Sequence, residues 1–140
     1  MNNNSKTLII PCSGIGKVHG LISREATYEI TDHLAKDKTD TLCLALLVMG
    51  DEEALAKVRN NQCITIDGCP KYCAKKNVEI AGGNVADSLM VNDALKCHRG
   101  EQFGTATKLA DSGWTVVHEI ACTAASSACA QSDGGEKSNV

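Results

Sequence analysis

Residues 64–76 read ITIDGCPKYCAKK. Ile64, Thr65 and Ile66 are all β-branched, a run that suits a buried strand from Cys63 to Ile66. Asp67-Gly68 supplies a turn, in which the Asp67 carboxylate is expected to orient the loop by accepting backbone amides. A helix is expected from Pro70 to Ala81, ended by Gly82-Gly83. Pro70 suits the first helical position, because its missing N–H has no partner there. That places Cys69 at the expected N-cap, with Cys73 one turn on and on the same face. Two thiols so placed at the mouth of a strand suit a metal clamp, a redox pair or two small core residues. A strand that turns directly into a helix is also half of a βαβ unit, the element of a parallel sheet.

Working outward, the pattern repeats. Lys6 to Pro11 is apolar and partly β-branched, an expected first strand, followed by a loop at Ser13-Gly14 and Gly16. Leu21, Ile22, Ala26, Ile30 and Leu34 recur near 3.6 and predict a helix over about 18–36. A second strand is expected from Thr41 to about Leu44, running on toward Val48. Asp51 to Asn60 reads as a helix, acidic at its start and basic at its end. Beyond the glycine pair, Ser88 to Val91 reads as a fourth strand and 92–101 has no clear pattern. Thr105 to Ser112 reads as a helix stopped by Gly113, and Trp114 to Val117 as a strand. Cys122 to Ala130 reads as a small-faced helix or packed loop, and 131–140 as a disordered tail. Strands alternating with helices predict a single α/β domain over 1–130, with a mainly parallel, Rossmann-like sheet. Ligands in such sheets collect beyond the carboxyl ends of the strands.

Composition bounds the rest. The chain has 140 residues and a net charge of −3, with no basic stripe of the kind that nucleic acid requires. No apolar run approaches the roughly 20 residues of a membrane span. The first apolar run, Leu8 to Pro11, falls short of the roughly 7–15 residues of a signal-peptide core. A cytoplasmic protein is expected. Its eight cysteines, at 12, 43, 63, 69, 73, 97, 122 and 129, then read more naturally as metal-binding or reactive than as disulfides.

Cys12 follows the first expected strand, Cys43 lies in or at the end of the second, and Cys69 and Cys73 follow the third. Right-handed crossovers bring the carboxyl ends of neighbouring strands to one edge, so three segments deliver four thiols there. Four thiolates suit zinc or an iron–sulfur cluster. In a thiol redox enzyme or switch, Cys69 is instead a nucleophile activated at a helix N-cap, and Cys73 or Cys12 resolves it.

With PCSG at 11–14 and LCLA at 42–45, the central stretch resembles the DGC-domain family, named for its Asp-Gly-Cys motif and associated with zinc binding through four cysteines. The resemblance covers roughly residues 6–83. It implies zinc as the cofactor, with Cys12, Cys43, Cys69 and Cys73 as ligands. Family members often carry a glycine-rich run after the second cysteine, where this chain has CLALLVMGD.

The remaining candidates are weaker. Gly14 to Gly20 is a GxGxxxG variant that lacks the dinucleotide spacing and the acid after the second strand, so a loop is the better reading. Cys63 reads as core. Cys122 and Cys129 read as small buried residues, Cys97-His98 as exposed or packed, and His118-Glu119 as a strand-edge surface pair. His33 reads as solvated. His19 is a substitute ligand should Cys43 point away. Lys75 and Lys76 either offset thiolate charge or form a solvated helix face. No catalytic frame is recognisable, and the sequence names no protein partner.

Overall fold

The computed structural model describes residues 6–137, with side chains described through residue 131. Four strands form one sheet: β1 (Thr7–Pro11), β2 (Thr39–Thr41), β3 (Gln62–Asp67) and β4 (Asn84–Met90). The strand order is β2-β1-β3-β4, and every neighbouring pair is parallel. This is the expected α/β architecture.

Side-chain alternation along β1 and β3 builds two cores. Ile9, Ile64 and Ile66 face one layer, made of α1 (Val18–Glu29), the π-helical turn Ile30–Leu34, α5 (Val91–Leu95) and α6 (Asp111–Lys137). Leu8, Ile10 and Cys63 face the other layer, made of α2 (Leu44–Met49), α3 (Glu52–Asn60) and α4 (Cys73–Ile80). Leu8, Ile9, Ile10, Ile64 and Ile66 have no exposed surface. Each such side chain stabilises the fold by about 1.5–3 kcal/mol relative to exposure. A strand buried on both faces reads as a nearly continuous apolar or β-branched run, which is why β1 and β3 were the readable strands.

The chain leaves β1 for β2 on one side, then returns past β1 to β3 on the other. The crossover direction reverses there, so the carboxyl ends of β1 and β3 flank the switch point where such sheets bind ligands. Cys12 and Gly68 lie immediately beyond those two ends.

Four local expectations are corrected. The second strand lies earlier, at Thr39–Thr41, and Leu44–Met49 is helical. Polar Thr39 and Thr41 suit an edge strand: Thr41 Oγ1 donates to the Ile9 carbonyl at 2.6 Å, and Thr39 Oγ1 to that of Ala35 at 2.7 Å. The helix after the DGC turn begins at Cys73 rather than Pro70. The expected helix over 105–112 is mostly loop, and the expected strand at Trp114–Val117 belongs to α6. Gly113 misled that reading. It lies inside the helix, at a position where an added Cβ would run into the Phe103 carbonyl oxygen. Of the expected tail at 131–140, residues 131–137 are the last of α6, and 138–140 lie outside the described residues.

Candidate functional site

Cys12 sits one residue past β1, half-buried against the α2–α4 layer. Its own N–H donates to the Ile66 carbonyl at 3.0 Å, which extends the β1–β3 ladder by one rung. Its Sγ accepts the Gly68 N–H at 3.2 Å and lies 3.6 Å from Ser23 Oγ. Ser23 is a hub: it donates to the Gly20 carbonyl at 2.7 Å and accepts the Ser13 N–H at 3.1 Å. Ser13 is held in the left-handed region, at φ 52°, and its hydroxyl accepts Arg24 Nε at 2.8 Å.

The DGC turn depends on close approach. A Cβ on Gly68 would meet the His19 Cβ at 3.0 Å, and one on Gly20 would run into the Gly14 carbonyl oxygen. Glycine at these positions lets the loop after β3, the loop after β1 and the start of α1 pack backbone to backbone.

Asp67 is almost fully buried at the end of β3. Its Oδ1 accepts the Ala74 N–H at 2.7 Å and its Oδ2 the Lys75 N–H at 3.1 Å. The carboxylate therefore caps α4 from six residues upstream, on the same side of the sheet as Cys63 and Cys12. Burial pushes the Asp67 carboxyl above its ordinary range, against the two amide hydrogen bonds and the nearby Lys75, which pull it down. Cys69 to Tyr72 form a turn closed by the Tyr72 N–H on the Cys69 carbonyl at 3.2 Å. Pro70 occupies the second place of that turn, which its fixed φ suits. The expected N-cap role of Cys69 is thus corrected. Tyr72 precedes the helix, in the left-handed region at φ 54°, and Cys73 is the first helical residue. Lys75 Nζ lies 5.3 Å from the centre of the Tyr72 ring.

Cys43 directly precedes α2, exposed, and lines a cavity of about 350 Å³ with Pro11, Ser13, Arg24 and Thr41. Cys69 is half-buried and Cys73 exposed. The structure thus puts Cys12, Cys43, Cys69 and Cys73 just beyond the carboxyl ends of β2, β1 and β3, which are adjacent. It does not draw them into one coordination sphere: among the described residues no three of His, Cys, Asp and Glu gather to hold a metal. In donor chemistry and in sheet edge the set fits a thiophilic ion; the thiols stand apart.

Other residues divide clearly. Burial pushes the Cys63 thiol up to about 11, so it is core as expected. Cys122 is exposed and Cys129 half-buried on α6, which corrects their reading as buried. His118 and Glu119 lie on α6, not on a strand edge. His118 pairs with Glu29 at 2.6 Å, and Glu119 with His98 at 2.9 Å. His19 has its Nδ1 buried without a partner, and burial, then Lys17, holds its pKa low. Ser23 and Arg24 escaped sequence reading. The signal was there: Ser23 is a polar residue on the apolar face that Ile22 and Ala26 define.

The family model of the DGC domain matches residues 8–121. No curated protein and no solved structure matches the chain.

Proposed function

The chain belongs to the DGC-domain family, and from that premise we propose that it binds zinc through Cys12, Cys43, Cys69 and Cys73. The observation that carries this reading is the Gly68 N–H held at 3.2 Å from Cys12 Sγ. The DGC turn itself thereby reaches the thiol at the end of the neighbouring strand. Cys73 opens α4, four residues beyond Cys69. Asp67 fixes that helix start by taking its amides. Bound zinc would cross-link three chain segments, and a closed four-thiolate set serves structural, sensing or carrier roles rather than catalysis. Each of the eight cysteines is free, in keeping with a reducing compartment, and we place the protein in the cytoplasm. No helix among the described residues is long and apolar enough to cross a membrane. The competing thiol-redox reading rested on Cys69 as an N-cap, and that footing is gone because α4 begins at Cys73.

Metal content per chain, by elemental analysis of protein purified without oxygen or added metal, tests the reading. We expect about one zinc per chain, lost in a Cys69→Ser/Cys73→Ser variant. Iron with acid-labile sulfide would move the site to the iron–sulfur class. Absence of metal, with thiol reactivity unchanged by added zinc, would sink the proposal.

A further inference from the structure

On the opposite layer, α1 packs against α6. Glu25, Tyr28, Glu29 and Asp32 follow helical spacing and line one wall of a groove of about 550 Å³, within the range of small-molecule sites. Trp114 and His118, one turn apart on α6, line the other. The floor ends at the π-helical turn, where the Ala35 N–H bonds the Ile30 carbonyl at 2.9 Å. Such turns recur at functional sites because the widened backbone re-aims side chains.

Three features define what the groove can hold. Its charge is acidic: three carboxylates stand against His33 and His118, and no lysine or arginine is among its described lining residues. Its apolar surface is unusually open: Tyr28 is 47% exposed, Leu34 44% and Trp114 41%, three of the seven large apolar side chains left exposed among the described residues. Its carboxylates and imidazoles do not converge, since no three of them form a metal-holding group. An inorganic ion needs convergent oxygens and makes no use of rings. A cation with a hydrocarbon body uses both, placing charge near carboxylates and against an aromatic face.

We propose that this groove binds an organic cation, an alkylguanidinium or alkylammonium group. Trp114 and Tyr28 take its apolar body and charged face, Glu25 and Asp32 face its charge, and Glu29 is already engaged by His118.

Trp114 is the sole tryptophan and reports directly on the groove. The test is titration of the intact protein with butylguanidinium chloride at constant ionic strength, following Trp114 emission, with butan-1-ol as the uncharged control. We expect a saturable change in the millimolar range or below for the cation and none for the alcohol. Glu25→Gln, at a half-buried position, and Asp32→Asn, at an exposed one, are each expected to weaken the response about fivefold, as loss of roughly 1 kcal/mol would. Tyr28→Ala is expected to weaken it with the fluorophore intact. An equal response to butanol would reduce the groove to an apolar notch and overturn the proposal. So would no response, a response indifferent to both charge variants, or emission that changes only with protein concentration, the sign of a second copy on the groove.

Discussion

A carboxylate buried at position 67 holds two amides of a helix that begins six residues later. Asparagine there can accept from only one of them and turns its own donor toward the other. Asp67→Asn is therefore expected to lower stability by about 1–2 kcal/mol, the usual worth of a helix cap, as read by chemical denaturation. Cys63 makes the converse case. Its thiol is held up to about 11 by burial, against about 8.5 in an unfolded chain. The unfolded chain loses that proton first. Stability linked to Cys63 is therefore complete below about pH 8.5 and falls as pH rises toward about 11. Cys63→Val is expected to flatten that alkaline decline, and native Cys63 is expected to stay unalkylated at pH 8 while Cys73 reacts. Asp67 was legible in sequence as a loop-orienting residue. The amides it serves were not, because they lie across a turn whose path depends on Pro70 and the left-handed Tyr72.

Among the elements, α6 shows where local pattern and packing part company. Val116, Val117, Ile120, Ala121, Ala124 and Ala128 are buried and recur at helical spacing, yet Gly113 reads as a stop. Propensity alone says Gly113→Ala should stabilise the helix by about 1 kcal/mol. The Phe103 carbonyl stands where the new methyl would go, and it is anchored by the Ala110 N–H at 2.9 Å. Overpacking against fixed backbone costs about 1–3 kcal/mol. We expect Gly113→Ala to lower the thermal midpoint; a rise would show that the 103–110 loop yields freely. The second strand was misplaced for a related reason. Leu42 to Val48 is apolar enough for either period, whereas Thr39 to Thr41 owes its strand conformation to the open edge of β1. At the other end of the sheet layer, His98 ties the turn after α5 to Glu119 of α6, whose hydrogen bond raises the imidazole pKa.

For the whole molecule, the proposed zinc site is a linkage between strand ends that the fold already makes neighbours. Zinc that binds only the folded chain, at a hundred times its dissociation constant, adds about 2.7 kcal/mol. The gain is expected in thermal unfolding of the wild type and not of Cys69→Ser/Cys73→Ser; an equal gain in both would place zinc elsewhere. The organic-cation groove uses the opposite layer, so the same double variant is expected to leave the Trp114 response to butylguanidinium unchanged. By itself the sequence determined the α/β class, the parallel sheet, strands β1 and β3, and the family, because runs buried on both faces and a turn as constrained as Asp-Gly-Cys-Pro are local facts. Only the tertiary structure decided where α4 begins, that Gly113 lies within a helix, that Ser23 and Gly68 attend Cys12, and that α1 and α6 frame an acidic aromatic groove. Those outcomes hang on backbone from one segment approaching another, and such contacts leave no period in the chain.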